Sequence, residues 1–516
     1  MTRTEQDTAA LAGPREWLGL VVLVIPTLLV AMDLTSLFLA LPRISTDLGA
    51  SGAEQLWISD GYGFLVAGFV ITMGTLGDRV GRRLLLIGGA AFAALSIVGA
   101  YSVNPEMLIL TRALLGIAGA TLMPSTLALI TNMFRDGAQR GRAIAIWATC
   151  QFTGGAAGPV LAGTLLQHFW WGSVFLIAVP AMAVLLVAGP IVLPEFRTPS
   201  RGRLDPVSVA LSLAAVLPVV YGLKQLAVDG SRGALVPVAA MVAGVVFGVV
   251  FVRRQLTLET PLLDLRLLSN RPFTAVLIGL VFAGVAMAGT GLAVTQYLQG
   301  VLDHSPFMSA LLMAPMGLGV AVGTMTAPAL AGRVRPATAI AGGLAVSVVG
   351  CLLLALVDGT GGLPLLIAGI TVLALGTGPL FALGTGLVIG SVPPERAGAA
   401  ASMSETSNYL GGSLGLGVLG AVGAAIYHSR MADVDAPAAA RQTLAGADAA
   451  ARGLPADRAT ELLHSANGAF TGALNITGGI AAVLFGIVAV LVATMRSTGR
   501  PEQAAGPAEA ELASAP

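Results

Sequence analysis

The chain has 516 residues, of which 55% are hydrophobic and 11% charged, and its formal net charge is +1 at pH 7. This balance indicates neither nucleic-acid binding nor an acidic partner. Cys150 and Cys351 lie far apart inside apolar runs, where a thiol behaves as a small hydrophobic group, so we expect neither a disulfide nor a metal site. Apolar runs of about 20 residues recur along the chain and predict an all-α polytopic membrane protein.

In chain order, hydropathy divides the sequence into about fourteen transmembrane segments. The first segment lacks a small-residue cleavage site, so we interpret it as a retained span and not as a signal peptide. The predicted segments are 17–41, 57–73, 84–102, 107–131, 143–165, 172–193, 207–224, 235–252, 273–297, 308–331, 337–357, 363–391, 399–427 and 469–495.

Positive charges are unevenly distributed between the two sides of the membrane. If the amino terminus is inside, 20 of the 28 Lys and Arg residues are cytoplasmic, seven are outside and Arg112 lies within a span. Most of the outer ones lie in the long 428–468 loop, where the positive-inside rule has little force. The single lysine among many arginines is typical of a GC-rich bacterial genome. We therefore predict a multi-pass protein of a bacterial inner membrane with both termini cytoplasmic.

Weak internal repetition indicates two related halves. The sequence LAGRVRP at Leu330–Pro336 resembles LGDRVGR at Leu76–Arg82, with Gly332 in place of Asp78. Transporters are commonly built from two such halves around a central site. The predicted parts are a cytoplasmic tail 1–16, a six-helix bundle 17–193, a linker with two inserted helices 194–272, a second six-helix bundle 273–495 that includes an extracytoplasmic loop 428–468, and a cytoplasmic tail 496–516.

Few ionisable side chains lie within the predicted spans: the acids Asp33, Asp60 and Glu405, and the base Arg112. A charge at the bilayer centre costs about 2.5–3.5 kcal/mol on insertion scales, so such residues usually face the bundle interior or a wet cavity. Asp33 and Glu405 belong to opposite halves, as expected of a central cavity. A structural ion pair between Asp33 and Arg112 is the simpler alternative. Asp60 follows Trp57 by three residues, so its alternative is a hydrated position at the membrane interface.

The energy source follows from what the sequence contains. A membrane carboxylate that holds either a proton or a cationic substrate would exchange the two by competition. No GxxxxGK[S/T] phosphate loop occurs, and the single lysine, Lys224, follows no such glycine run, so this chain alone does not use ATP. We expect the proton gradient to be the energy source, with no cofactor.

Two further motifs stand out in the sequence. GTLGDRVGRR at Gly74–Arg83 is a polar, arginine-rich connection between two apolar runs. In GGAAGPVLAG at Gly154–Gly163, small residues permit close helix contact and Pro159 bends or loosens the helix, which suits a hinge or a seal. Ordinary glycine-rich packing is the alternative for this second motif.

These motifs together resemble the major facilitator superfamily (MFS), specifically its fourteen-span drug:proton antiporters, and the resemblance covers essentially the whole chain. It implies the MFS fold with about fourteen helices. LILTRALLGIAGA at 108–120 resembles the span-four motif and implies that Arg112 is a proton-transfer partner. SETSNYLGG at 404–412 resembles the region of span thirteen where these exporters carry a functional acid, here Glu405.

The resemblance also implies roles for the two glycine-containing motifs. The first would be a gating clamp between the halves, formed by Gly74, Asp78, Arg79, Gly81 and Arg82. The second would be the antiporter motif of span five, with hinge residues Gly154, Gly158, Pro159 and Gly163.

Two positions depart from the family pattern. MDLTSLFLALP at 32–42 keeps Asp33, Thr35 and Pro42 of the first-span motif but has Phe38 where an asparagine is usual. Some members carry an aspartate in span ten, near the position of Val320, and this chain has no acid there. The second departure leads us to expect a preference for singly charged cations.

The sequence thus predicts a proton-coupled multidrug exporter of hydrophobic, mainly cationic compounds, including dyes, quaternary ammonium compounds and antibiotics, that works by alternating access. Its expected partners are lipophilic small molecules, protons and lipid, with no nucleic acid and no obligate protein partner. A dedicated exporter of one natural product is the first alternative, and a non-transporting membrane sensor is the second. The enzyme-like patterns GGSLG at Gly411–Gly415 and GLGVLG at Gly415–Gly420 lie inside a span without a strand–turn–helix setting, so we expect no enzyme.

Overall fold

Helices make up almost all of the chain that the structure describes. The structure is a computed structural model, and it describes residues 11–50, 52–195, 205–229, 235–258, 261–263, 265–358, 361–392 and 397–494. No strand occurs within these ranges. The predicted all-α class is confirmed.

The helices follow one another with short connections. The first nine are α1 (Pro14–Leu48), α2 (Gly52–Val80), α3 (Arg82–Ala100), α4 (Pro105–Met133), α5 (Gly137–His168), α6 (Ser173–Leu176), α7 (Ala178–Val192), α8 (Pro206–Asp229) and α9 (Leu235–Thr257). The remainder are α10 (Arg271–Gln296), α11 (Pro306–Ala331), α12 (Pro336–Ala355), α13 (Leu363–Pro379), α14 (Thr385–Gly390), α15 (Ala397–Leu414), α16 (Gly420–Met431), α17 (Ala438–Gln442), α18 (Leu444–Ala451) and α19 (Ala456–Ala493). Short π-helical segments follow α10, α13 and α15.

Twelve helical stretches among the described residues are long and apolar enough to cross a membrane. The continuous helices α6–α7, α13–α14 and α15–α16 each count as one of them. Two further candidates fall outside this set: α5, which has 32 residues and carries more polar side chains, and the shorter apolar stretch Pro206–Gly222 of α8. With these two, the architecture is compatible with the fourteen predicted spans.

Packing brings together helices that are distant in sequence. α1 packs on α5, α2 on α4 and α3 on α7, whereas α10 packs on α15 and α19, and α13 packs on α11 and α12. Between these two groups, the main contacts join α5 with α11 and α2 with α15. The boundaries of the two bundles stay a prediction. The candidate residues that lie between the two groups belong to α2, α5 and α15.

The predicted inserted pair, α8 and α9, is fastened to α2 by polar contacts. Asp205 precedes α8 and pairs with Arg254 of α9 at 2.7 Å, and this guanidinium holds the pKa of the Asp205 carboxyl well below its usual range. Gln255, which is 3% exposed, accepts a hydrogen bond from the backbone N–H of Leu262 at 2.6 Å. Thr75 of α2 donates to the Leu262 carbonyl at 3.1 Å. The pair is thus linked to α2 within the predicted gating motif.

The region predicted as the loop 428–468 is largely helical. α16 continues to Met431, α17 and α18 follow, and α19 begins at Ala456, thirteen residues before the predicted start of its span. Leu462 and Ala466 of α19 are buried against Tyr427, whose hydroxyl donates to the carbonyl of Ala440 at 2.9 Å. Apolar residues on one face of α19 form this small core, and the polar residues on its other face lower the mean hydropathy from which the span was predicted.

Candidate functional site

Asp33 of α1 and Arg112 of α4 form a buried ion pair, with 2.5 Å between Oδ2 and Nη1. The Arg112 side chain is completely buried, whereas that of Asp33 is 13% exposed. The Arg112 Nε donates to the carbonyl of Ile58 at 3.2 Å, and its guanidinium lies 4.7 Å from the ring centre of Tyr62. A buried cation needs such compensation, because ionic, hydrogen-bonding and cation–π contacts replace the lost hydration.

The two partners of the ion pair differ in burial and in how fully their polar atoms are hydrogen-bonded. Within the described residues, the Arg112 Nη2 is buried and has no hydrogen-bond partner. The guanidinium is therefore incompletely satisfied, and Asp33 is its only ionic partner among the described residues. The ion pair between Asp33 and Arg112, which was the simpler alternative from the sequence, is present. Within it, the side chain of Asp33 is more exposed than that of Arg112.

Glu405 of α15 lies apart from this pair and has its own partner. Its side chain is 5% exposed, and its Oε2 accepts a hydrogen bond from the Nε2 of Gln151 on α5 at 3.2 Å. Both residues line a small cavity together with Trp147, Phe381 and Asn408. The cavity is therefore bounded by side chains from both sequence halves.

The sulfur of Met123 on α4 lies close to both Gln151 and Tyr409. The Gln151 amide lies 3.5 Å from the Met123 sulfur, and the hydroxyl of Tyr409 lies 3.6 Å from it. Within the described chain, no hydrogen bond joins Asp33 directly to Glu405. The two acids thus have separate partners, Asp33 on α1 with Arg112 on α4 and Glu405 on α15 with Gln151 on α5.

Sequence reasoning missed Gln151, Tyr62, Tyr409 and Met123. The only signal for Gln151 was a polar side chain within a predicted span, which does not reveal its partner. Asp60, by contrast, was predicted, and its backbone lies in α2 one residue before the apolar stretch Gly61–Val80. The Asp60 side chain lies outside the described residues, so both alternatives for it stay open.

The predicted gating motif makes a contact between α2 and α15. Asp78 accepts hydrogen bonds from the backbone N–H of Gly398 at 2.8 Å and of Ala399 at 2.9 Å. These amides belong to the first turn of α15, where N–H groups have no partner within the helix and the helix dipole favours a negative charge. Asp78 therefore caps a helix that lies 320 residues further along the chain.

Gly74 and Gly81 of the same motif are required for two different geometric reasons. A Cβ on Gly74 would lie 2.6 Å from both the carbonyl oxygen of Gly398 and the Cβ of Ser402, so only glycine permits this approach of α2 to α15. Gly81 separates α2 from α3 with a φ of 71°, which glycine adopts without strain. Arg79 is partly buried, and the Arg82 side chain lies outside the described residues.

The span-five motif forms the contact face of α5 toward α1. A side chain on Gly154 would collide with the carbonyl of Leu28, and a Cβ on Gly158 would lie 2.7 Å from the carbonyl oxygen of Met32. α5 remains one helix through Pro159, and Gly163 near its C-terminal end is partly buried. Close packing, the alternative weighed from the sequence, is present, whereas the hinge role stays a prediction.

Many apolar helices in two groups, with the buried acid Glu405 held between them, are typical of a polytopic helical transporter. The chain belongs to the Major Facilitator Superfamily, whose family model matches residues 23–416. The predicted family is confirmed.

Similarity to individual proteins extends over most of the chain. It is 42% identical over 487 residues to the multidrug efflux pump LfrA of Mycolicibacterium smegmatis, covering 93% of this chain and 96% of that protein. It is 33% identical over 411 residues to the methyl viologen resistance protein SmvA of Salmonella typhimurium, covering 79% and 82%. It is 31% identical over 435 residues to the puromycin resistance protein pur8 of Streptomyces alboniger, covering 83% and 86%.

Among solved structures, the crystal structure of the human organic anion transporter MFSD10 aligns with a TM-score of 0.59 at 16% identity. The alignment covers 93% of this chain and 100% of that one. At this identity the likeness shows the fold alone.

Proposed function

We propose that this protein is a proton-coupled multidrug exporter of lipophilic, mainly cationic compounds. The observation that carries the proposal is the pair of buried acids, Asp33 and Glu405, held by the different partners Arg112 and Gln151. Relatives at 42% and 33% identity that are named a multidrug efflux pump and a methyl viologen resistance protein support the same class of substrate.

The different partners suggest different roles for the two acids. Neutralising Asp33 would leave the fully buried Arg112 without its counter-ion, which is costly, so a proton on Asp33 requires a compensating rearrangement. Glu405 is held by a neutral amide, so its charge can change without leaving a buried cation unpaired. We therefore assign direct binding of a proton or a drug cation to Glu405 and coupling to Asp33, with Arg112 as its relay partner.

The available energy is sufficient for export. One pH unit corresponds to about 1.4 kcal/mol per proton, and 100 mV corresponds to about 2.3 kcal/mol per charge. Exchange of one proton for one monovalent cation moves no net charge. It would therefore be driven by the pH gradient alone, giving about tenfold accumulation per pH unit.

Alternating access would be controlled at the contact between Asp78 and α15. The distribution of arginines supports a cytoplasmic position for this contact and for both termini, in the inner membrane of a bacterium. The hydrogen bonds from Gly398 and Ala399 would hold this side closed, and their release would open the path for drug uptake.

A second candidate function is the dedicated export of one antibiotic or natural product. The similarity to a puromycin resistance protein favours including it. Because the coupling residues would be the same in both cases, the range of substrates separates them. Resistance to one compound only, in a panel of dyes, quaternary ammonium compounds and antibiotics, would favour this second function.

Ethidium efflux from energised, pump-deficient cells tests the main proposal. Asp33→Asn and Glu405→Gln should abolish active efflux, because an amide does not take up and release the proton. Glu461→Gln, at an exposed acid near the beginning of α19, is the matched control and should leave efflux unchanged. Immunoblots should show equal membrane abundance. If Asp33→Asn still concentrates ethidium outward against its gradient, another residue carries the coupling.

A further inference from the structure

Thr35 of α1 donates its hydroxyl proton to a backbone carbonyl of another helix. The acceptor is Gly155 of α5, with 2.8 Å between the two oxygens. Thr35 lies two residues after Asp33, within the stretch of α1 that packs on the glycine face of α5. This contact is separate from the ion pair between Asp33 and Arg112.

The missing N–H of a proline explains why the Gly155 carbonyl accepts a hydrogen bond from another helix. In an α-helix, this oxygen would accept from the N–H of the residue four positions later. That residue is Pro159, which has no N–H. A carbonyl at membrane depth that has no donor is costly. The Thr35 hydroxyl therefore supplies the hydrogen bond that Pro159 removes.

The two contacts hold α1 from different sides. Successive helical residues are about 100° apart, so the side chains of Asp33 and Thr35 project roughly 200° apart around α1. Asp33 reaches Arg112 on α4, and Thr35 reaches Gly155 on α5. α1 is thus bonded to α4 through the ion pair and to α5 at the proline site, which is the Gly155 carbonyl left free by Pro159. A displacement of α1 toward one of these helices alters its contact with the other.

Thr35 also has a second acceptor within its own helix. Its hydroxyl lies 3.2 Å from the carbonyl oxygen of Met32. Since a hydroxyl has one proton, it bonds mainly one of the two oxygens at a time. Release of Gly155 therefore leaves the Thr35 proton with a partner and leaves only the α5 carbonyl unbonded, so the contact can open and close while α1 stays helical.

We propose that Thr35 is a positioning residue for transport, which holds α1 against the proline site of α5 so that Asp33 stays in register with Arg112. The inference deepens the proposed function and rests on it. When the charge of Asp33 changes and α1 shifts, the Thr35 hydroxyl moves from Gly155 to Met32, and α5 is free to bend at Pro159.

Transport kinetics test the role of the hydroxyl. Thr35→Val keeps the shape of the side chain and removes the donor, so the maximal rate of ethidium efflux should fall about tenfold, with KM changed less than twofold. Thr35→Ser keeps the donor and should restore most of the rate. Thr164→Val is the matched control on α5, because among the described residues its hydroxyl bonds only Val160 of its own helix, and its rate should be unchanged.

A double-mutant cycle with Pro159→Ala tests the specific pairing. Alanine restores the N–H that bonds Gly155, so Thr35→Val should lower the thermal midpoint of the purified protein in the Pro159 background and leave it unchanged in the Pro159→Ala background. This measurement needs no transport, so it remains informative when Pro159→Ala is inactive or when ethidium is not the substrate.

Two results would overturn the inference. An equal loss of thermal midpoint from Thr35→Val in both backgrounds would show that the hydroxyl does not replace the missing N–H. An unchanged efflux rate for Thr35→Val in a protein that exports ethidium would show that the contact does not serve transport. Absence of ethidium export by the unmodified protein, with the expected cycle in the thermal midpoint, would count against the proposed function and leave the contact between Thr35 and Gly155 supported.

Discussion

Gln151 of α5 donates a hydrogen bond to Glu405 of α15, so that two residues 254 positions apart share one buried site. A hydrogen bond to a charged group contributes about 1.5–3 kcal/mol, which corresponds to tenfold or more in an equilibrium. Glu405 has no other hydrogen-bond partner within the described chain. Gln151 is therefore the side chain on which the position of this acid depends.

We predict that Gln151→Leu lowers proton-driven efflux of ethidium by at least tenfold, because the Glu405 carboxylate loses its donor. Gln167→Leu is the matched control, since Gln167 is exposed at the C-terminal end of the same helix. Efflux should be measured in energised cells at equal membrane abundance. Normal efflux by Gln151→Leu would show that Glu405 is positioned by other groups.

The cap on α15 leads to a prediction about gating. Asp78→Asn removes the negative charge from the amino end of α15 and weakens the bonds from Gly398 and Ala399. We expect transport to slow about tenfold, since a cap contributes about 1–2 kcal/mol. Equilibrium drug binding to the purified protein should stay within a few-fold. Loss of binding with normal turnover of bound drug would assign Asp78 to the substrate site.

Membrane orientation can be tested with cysteine reporters at Arg82 and Ala438 in a protein that lacks Cys150 and Cys351. The positive-inside rule predicts labelling of position 82 from the cytoplasm and of position 438 from outside. Ala438 is exposed at the start of α17, so a reagent can reach it. Labelling of both positions from one face would contradict the fourteen-span topology.

The predicted preference for singly charged substrates rests on Val320 in α11. Val320 is 1% exposed and lies one turn before Thr324, whose hydroxyl is 2.5 Å from that of Thr149 on α5. A second, widely separated cationic group of a substrate would find no acid at Val320 and would bear the cost of desolvation.

We therefore predict better export of ethidium or a single quaternary ammonium compound than of bis-cationic compounds. Val320→Asp should improve export of the bis-cations selectively. Resistance and efflux assays with both kinds of compound measure this. Equal or better export of bis-cations by the unmodified protein would show that position 320 does not set valence.

Several features could be predicted from the sequence because they are local. The membrane class follows from runs of apolar residues, since a bilayer span requires them whatever the neighbouring helices are. The acids Asp33 and Glu405 and the base Arg112 were identifiable because a charge in such a run is costly and therefore rare. Pro159 was notable because a proline lacks the backbone N–H and bends or loosens a helix wherever it occurs.

Contacts between distant residues were decided only by the tertiary structure. Hydropathy and motif spacing do not reveal that Asp78 caps α15, that Gln151 holds Glu405 or that Thr35 bonds the carbonyl freed by Pro159. The helical start of α19 was also hidden, because its polar face lowers the mean hydropathy and only the packing on α16 and α18 shows that its other face is buried. The physical reason is the same in each case: the sequence sets which groups need a partner in lipid, and helix packing determines which group provides it.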